Sequence, residues 1–356
     1  MFRTIRKLIS AGIFVVLTGL LIALAVFAPN FWFSFYPGVS AKVLHAISSV
    51  TGLLPFSLWE ILLGLLIAGM VAYLITCIKR RHFLCWLATL AELVAFLVFL
   101  FVALWGLNHF GPSLAEQLDM NVTEYSQSEL EQAAAYYTQM ASQYSTQVSR
   151  DSDGNVILSD FSTLSSQARE GYLAISDTYP LFSEPAPRVK RLLTGKGFSY
   201  MGLTGIYIAF TAEPCVNADS FGVDLPFTMC HELAHGMTVA AEEDANYCAF
   251  LACENHSSPE FRYSGYYSAF VYCYNALYRA DPSAATALWD MASDELAKDC
   301  GRANRHYEQY DGSVQEAAQK VNDAYLKAFS EEEGVQSYGA VVDYLIAHYE
   351  SLKKAN

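Results

Sequence analysis

The residues that could do chemistry lie in one short stretch, His231-Glu232-Leu233-Ala234-His235, which an acidic run, Glu242-Glu243-Asp244, soon follows. Two histidines four residues apart lie on one face of a helix, so both imidazoles can reach the same tetrahedral metal ion. Glu232 stands beside them, where a carboxylate can take a proton from a metal-activated water. This spacing is typical of a zinc hydrolase, whereas the bare pattern also fits a helix that carries two histidines without a metal.

The residues around the motif favour the metal interpretation. Pro226 suits the first turn of a helix, so a helix can begin just before the motif. An apolar stripe then leaves His231 and His235 on a different face, as expected of a helix buried along one side. The stripe consists of Phe227, Cys230, Leu233, Ala234 and Met237.

We predict Glu242 as the third metal ligand. On an unbroken helix it would stand about 10.5 Å from His235 along the axis, too far for one metal. The chain must therefore break near Gly236, and a second helix starting near Ala240 would carry Glu242 in its first turn, where the helix dipole favours a carboxylate. Glu243 is expected to face solvent.

Two further interpretations of the acidic helix follow from its spacing. Asn246 shares a face with Glu242 and is expected to orient a metal ligand. Alternatively, Glu242, Glu243 and Asp244 form only a solvated helix terminus, with water or a distant residue completing the metal shell.

A zinc ion with three protein ligands keeps a position for water and lowers its pKa to about 7. With Glu232 as general base, such a site would hydrolyse amides, so a peptide or protein is the expected substrate. Residues 203–211 are predicted as a strand to which an extended peptide could add, or else as a core strand. Tyr207, Glu213 and Asn217 are interpreted as cleft or structural residues.

The first part of the chain has the composition of a membrane region. Residues 1–107 contain two acidic residues, Glu60 and Glu92, of the chain's 36. Three apolar runs, at about 8–28, 59–77 and 84–107, are long enough to cross a bilayer. We place a boundary between this region and residues 108–356, whose acidic balance argues against nucleic-acid binding.

The basic residues predict the topology. Arg3, Arg6 and Lys7 precede the first run, and Lys79, Arg80 and Arg81 separate the second from the third. The positive-inside rule then places the N-terminus in the cytoplasm and the domain 108–356 outside a cell membrane that the chain crosses several times. The aromatic connection between the first two runs is expected at the membrane interface.

The second half is predicted to be mainly helical, with one small β element at 203–211. A turn is expected at 150–155. The predicted helices cover residues 123–149, 159–178, 226–236, 240–254, 262–279, 283–300, 312–329 and 335–352. A tyrosine-rich helix could supply a phenol to an oxyanion or simply pack in the core; its tyrosines are Tyr263, Tyr266, Tyr267, Tyr272, Tyr274 and Tyr278. Six cysteines in this half are compatible with disulfides or with buried thiols.

Several segments resemble the DUF3810 family of bacterial multi-pass membrane proteins. The likeness includes Trp105 to Asn108, Met201 to Tyr207, Leu225 to His235 and Glu242 to Asn246. It implies a membrane-anchored protein with a zincin-like domain, for which peptidase activity is inferred from the motif. Where the family has E-D-E-A-N, this chain has Glu242-Glu243-Asp244-Ala245-Asn246, so the last acid is shortened. The frame around Glu242 is similar to the third-ligand helix of membrane-integrated zinc peptidases.

The expected fold class is therefore mainly α, with three N-terminal transmembrane helices and an α-rich, zincin-like metallopeptidase domain. The expected function is a membrane-anchored, gluzincin-like zinc metallopeptidase with His231, His235 and Glu242 as ligands and Glu232 as catalytic base. A non-catalytic zincin-fold receptor or scaffold at the cell surface, or a cell-wall amidase, is the alternative. An intact Glu232 favours the enzyme, because a purely structural zinc site needs no base.

Overall fold

The computed structural model describes residues 2–183, 186–329 and 341–355. The chain is mainly helical with one small three-stranded sheet, as the sequence predicts. It divides into two compact units: Met1–Gly111 with Ile208–Glu213, and Pro112–Tyr207 with Pro214–Asn356. The change in composition predicts a boundary at 107 and gives no sign that residues 208–213 group with the first unit.

The first unit contains three helices that are long and apolar enough to cross a membrane, by length and composition. At 1.5 Å per residue, 22 to 26 residues match the thickness of a bilayer core, which indicates a membrane protein. The third long helix ends at Leu104, and a 3₁₀ helix, Gly106–Phe110, follows it. The α-helices of this unit are α1 (Phe2–Phe27), α2 (Pro29–Phe33), α3 (Tyr36–Thr51), α4 (Leu58–Lys79) and α5 (Phe83–Leu104).

Glu92, the one carboxylate inside the third apolar run, forms an ion pair. The Nζ atom of Lys7, on α1, lies 3.0 Å from its Oε2 atom. A charge in an apolar bundle is costly unless it is paired. The ion pair with Lys7 therefore stabilises Glu92 within the helices of this unit.

The first connection consists largely of helix α3, which packs on the end of α5. The Tyr36 hydroxyl donates to the carbonyl oxygen of Val102 at 3.3 Å, and the Ser40 hydroxyl donates to that of Leu104 at 2.6 Å. The side chains of Val39 and Val50, on another face, are exposed. An exposed apolar face is what a helix at a membrane interface would have.

Glu213 caps the start of α4 within the first unit. Its two carboxylate oxygens accept from the backbone N–H groups of Leu58 and Trp59 at 3.0 and 2.9 Å. These N–H groups have no partner inside the helix, and a negative charge is favoured at a helix N-terminus. Glu213 is completely buried, so the structure gives this residue a structural role.

Most of the remaining helices form the second unit, and their positions largely follow the prediction. Ser126 and Glu129 form a reciprocal capping box at the start of one of them. The predicted helix 283–300 is wrong as a continuous element, because the chain forms two helices separated by a 3₁₀ turn, Leu288–Asp290. Of the predicted helix 335–352, residues 335–340 lie outside the described part. The helices are α6 (Leu114–Gln117), α7 (Gln127–Ser145), α8 (Phe161–Ile175), α9 (Gly195–Tyr200), α10 (Leu225–Gly236), α11 (Glu242–Glu254), α12 (Pro259–Ala280), α13 (Pro282–Ala287), α14 (Asp294–Glu308), α15 (Ser313–Ala328) and α16 (Val341–Ala355).

The sheet contains three short strands in the order β1 (Lys190–Arg191), β3 (Glu213–Val216) and β2 (Gly205–Ile208). β1 and β3 are parallel, with Lys190 opposite Cys215. The predicted strand 203–211 is shorter in the structure, because the chain turns after Ile208 and Ala212 has a positive φ of 47°. β2 is thus an edge strand among the described residues.

Helix α10 lies in the core of the second unit, against α8, α11 and α12. Met229 and Leu233 are completely buried, and the Tyr172 hydroxyl of α8 donates to the carbonyl oxygen of Cys230 at 2.7 Å. The eight cysteines are free thiols. Hydrophobic burial on several sides holds the motif helix in place.

Candidate metal centre

The chain breaks between the two helices that carry the predicted ligands. α10 begins with Leu225 and Pro226 and ends at Gly236, and α11 begins at Glu242. Thr238 has a φ of 72°, the left-handed conformation that ends a helix and redirects the chain. The break allows Glu242, in the first turn of α11, to return to the face of α10 that carries the histidines.

The structure brings His231, His235 and Glu242 together. The two Nε2 atoms of the histidines lie 3.1 Å apart. Nε2 of His231 lies 3.3 Å from Oε2 of Glu242, and Nε2 of His235 lies 3.8 Å from Oε1. Ligand atoms about 2.0–2.1 Å from a tetrahedral zinc are separated by about 3.3 Å. The three side chains therefore fit a zinc ion, and they are the one such cluster among the described residues.

The hydrogen bond of His235 selects the tautomer that a metal ligand needs. Its Nδ1 atom lies 2.8 Å from the carbonyl oxygen of Val239, to which the Nδ1–H group can donate. The lone pair of Nε2 then points toward His231 and Glu242. Two imidazole nitrogens and a carboxylate converge here, an arrangement that a metal cation or a proton among them would stabilise.

The electrostatics of the cluster favour a positive charge. For Glu242, burial opposes ionisation, but the imidazoles of His231 and His235 beside it hold its pKa well below the usual range. Burial likewise opposes the charged form of His235, but Glu242 and then Glu232 outweigh this effect and raise its pKa to about 9. Burial lowers the pKa of His231. The cluster is only slightly exposed, with 12%, 7% and 13% of the side chains of His231, His235 and Glu242 accessible.

Glu232 is buried beside the cluster, with strand β2 against its carboxylate. Burial raises the pKa of this carboxyl to about 8. Its Oε2 atom accepts no hydrogen bond from any residue that the structure describes. A Cβ atom at Gly205 would lie 2.7 Å from its Cγ atom, so only a glycine allows the strand to approach this closely. The carboxylate thus has a basic oxygen available for a proton.

The neighbouring residues of α11 have different environments. The Oδ1 atom of Asn246 accepts from the Tyr272 hydroxyl at 3.1 Å, and the Asn246 side chain partly offsets the lowering of the His231 pKa by burial. Glu243 is half-buried, so the expectation that it faces solvent is wrong in part. Asp244 is buried and lies close to other elements of this unit.

Tyr207 and Asn217, the other residues considered for a cleft, have different surroundings. Tyr207 is mostly buried, which raises the pKa of its hydroxyl. A Cβ atom at Gly236 would lie 3.5 Å from its ring, so Tyr207 borders the end of the motif helix. Asn217 is buried, and its Nδ2 atom donates to the Ser199 hydroxyl at 2.9 Å, which is a structural contact.

Two residues near the centre, Gly205 and Tyr272, could not be singled out from the sequence. Gly205 gives only the signal of a glycine within the predicted strand 203–211. Tyr272 was one of six tyrosines on a single helix. Three of these, Tyr263, Tyr266 and Tyr267, are buried core residues, whereas the Tyr272 hydroxyl reaches Asn246. Neither position could be separated from its neighbours by spacing alone.

The fold and the cluster define a mainly helical protein with three apolar N-terminal helices and a buried His-His-Glu centre. Comparison with known families then identifies the chain further. It belongs to the family described as Protein of unknown function (DUF3810), whose model matches residues 34–346. No curated protein and no solved structure matches the chain.

Proposed function

We propose that this protein is a membrane-anchored, zinc-dependent metallopeptidase. The observation that carries the proposal is the convergence of Nε2 of His231, Nε2 of His235 and the Glu242 carboxylate, with Glu232 beside them. Two histidines and a glutamate are a ligand set of hydrolytic zinc sites, which keep one position open. A closed structural site would use a fourth protein ligand and would need no adjacent base.

The three ligands would hold the zinc, which supplies Lewis acidity toward a water molecule and a substrate carbonyl. The remaining chemistry belongs to residues of this chain. The Val239 carbonyl keeps the His235 ring oriented, and Asn246 would orient His231. Such partners fix ring orientation and make the ligands more basic.

Glu232 would act as the general base and then as the general acid. Its carboxylate would take a proton from the attacking water and return it to the nitrogen of the leaving amine. Burial raises the pKa of this carboxyl toward neutral pH, the range in which proton transfer in both directions is efficient. The cation that the ligands bind would lower this pKa, because a nearby positive charge favours the carboxylate.

An extended peptide is the substrate that the surroundings of Glu232 favour. Strand β2 is an edge strand, and no strand in the described ranges pairs with its outer side. Because its Gly205 lies against Glu232, a peptide that added to this edge would bring its backbone close to the base. Backbone hydrogen bonds of this kind do not depend on the side chains of the peptide. Both an endopeptidase and an aminopeptidase would therefore be compatible with this binding mode.

We further propose that residues 108–356 lie outside the cytoplasmic membrane. The basic residues Arg3 to Lys7 and Lys79 to Arg81 flank the proposed spans, and basic flanks remain on the cytoplasmic side. An odd number of spans then places the C-terminal domain on the opposite side from the N-terminus. The substrates would be peptides or proteins of that compartment.

Zinc binding by full-length protein in detergent tests the proposal. We expect about one zinc per chain, with affinity at least about 100-fold lower in His231→Ala, His235→Ala and Glu242→Ala. Glu243→Ala is the matched control, since it removes the adjacent carboxylate of the same helix turn. If Glu242→Ala bound zinc like the wild type while Glu243→Ala did not, the ligand assignment would be wrong.

A further inference from the structure

Asp244, two residues after Glu242, connects the first turn of α11 to two distant parts of the second unit. The Tyr344 hydroxyl of α16 donates to Oδ1 of Asp244 at 2.6 Å. The backbone N–H of Leu114, at the start of α6, donates to Oδ2 at 3.1 Å. Asp244, Tyr344 and Leu114 are all buried, so these bonds form away from bulk water, where they are strong.

The start of α11 lacks a capping side chain. The residue before it, Ala241, has no side chain that could cap the helix, and the preceding segment is the turn with the positive φ at Thr238. A helix without a capping side chain frays more readily in its first turn. Glu242 lies in that turn, and its carboxylate must meet two imidazoles within a few tenths of an ångström.

Helix α16 also contacts α11 beyond its first turn. The Tyr344 ring stacks on Tyr247, in the middle of α11, with 5.1 Å between the ring centroids. Further along, His348 lies 3.0 Å from the Tyr247 hydroxyl and 3.2 Å from Oε1 of Glu254, in the last turn. α16 thus contacts the first turn, the middle and the last turn of the helix that presents Glu242.

We propose that Asp244 is a positioning residue for the metal centre: through Tyr344 and Leu114 it fixes the first turn of α11, so that Glu242 points at His231 and His235. The inference rests on the proposed zinc site and extends it to residues that are not themselves metal ligands. The two carboxylate oxygens of Asp244 each accept one of these hydrogen bonds, so the residue links both donors to the first turn of α11.

Tyr344→Phe tests this inference, since it removes one hydroxyl and leaves the ring stacking intact. Tyr263→Phe is the matched control: the Tyr263 hydroxyl also donates to a buried aspartate, Asp299, at 2.6 Å. Zinc affinity is measured on the full-length protein by competition with a chelator, alongside the thermal unfolding midpoint. We expect both variants to lose similar stability, and only Tyr344→Phe to bind zinc about tenfold more weakly.

Substitutions of Asp244 itself test the inference without relying on the Tyr344 variant. Asp244→Asn retains one acceptor and should weaken zinc binding less than Asp244→Ala, which retains none. Equal zinc affinity in the wild type, Tyr344→Phe and Asp244→Ala would overturn this inference but leave the proposed function intact. Equal weakening by Tyr344→Phe and Tyr263→Phe would also overturn it, as a general stability effect. A wild-type protein that binds no zinc would overturn the proposed function and the inference together.

Discussion

A Cβ atom at Gly205 would lie 2.8 Å from the carboxyl carbon of Glu232. The backbone of strand β2 therefore lies directly against the proposed catalytic base. No side chain larger than hydrogen fits there without a shift of one of the two groups. The position of the strand and the position of the base are thus mutually dependent.

We predict that Gly205→Ala lowers peptide hydrolysis by about 10²-fold, because a displaced base loses its alignment with the reacting atoms. Zinc affinity should change little, since Glu232 is not a ligand. Gly197→Ala is the control, because a Cβ atom there meets no atom within 4 Å. Hydrolysis rates and zinc content of the two variants check the prediction. Full activity in Gly205→Ala would show that Glu232 can move without loss.

We predict that Glu213→Ala destabilises the first unit. The change leaves the N–H groups of Leu58 and Trp59 without their carboxylate, and hydrogen bonds to charged groups contribute about 1.5–3 kcal/mol each. Thermal unfolding in detergent measures the effect. Glu124→Ala, at an exposed glutamate, should leave the midpoint unchanged. An equal midpoint in Glu213→Ala would refute the capping role.

The local patterns were predictable from the sequence, and the long-range contacts were not. The break after Gly236 and the place of Glu242 in a first turn follow from residue spacing, because one metal cannot bridge seven helical residues. Strand β1 has only two residues and forms by pairing with Cys215 and Val216, so no periodicity could indicate it. Asp244 likewise bonds to donors 130 and 100 residues away.

The break in the predicted helix 283–300 has a similar explanation. Apolar and polar residues continue through Leu288 to Ser293, so their spacing does not indicate the end of a helix. In the structure, Ser293 starts a new helix by accepting from the backbone N–H of Leu296 at 3.1 Å, and its own N–H donates to Ser142 at 3.0 Å. The hydrogen bond to Ser142 depends on the packing of α7 and cannot be predicted from the local sequence.

The hydrogen bonds of His256 predict how the stability of the protein depends on pH. Its Nδ1 atom accepts from the Ser258 N–H at 2.8 Å, and its Nε2 atom lies 3.0 Å from the Gln167 carbonyl oxygen, so the neutral ring is the bonded form. Burial lowers the pKa of His256 below the usual value for histidine, about 6.5. The unfolded chain therefore binds the proton more readily, and stability is lost as the pH falls from about 6.5 toward the folded-state pKa.

The comparison of wild type with His256→Asn isolates this contribution, because asparagine keeps an acceptor for Ser258 and does not titrate. We expect the unfolding midpoint of the wild type to fall relative to that of the variant between pH 8 and pH 5.5. A difference that stays constant over this range would contradict the assigned ring state.

The proposed topology predicts the compartment of the C-terminus. Alkaline phosphatase fused after residue 356 should be active, because the enzyme matures only outside the cytoplasm. A fluorescent reporter that folds only in the cytoplasm should be dark at the same position. Inactive phosphatase together with a bright cytoplasmic reporter would reverse the orientation and place the domain inside the cell.

The most direct test of the account is hydrolysis of a peptide library by full-length, zinc-loaded protein, comparing the wild type with Glu232→Gln. The substitution keeps the size of the side chain and all three ligands, so both proteins should bind zinc equally. We predict that the wild type cleaves peptides and that Glu232→Gln is slower by about 10²–10⁴-fold, the usual contribution of a general acid–base group. Equal cleavage by both proteins, or no cleavage by a wild type that carries one zinc per chain, would contradict the assignment of a metallopeptidase.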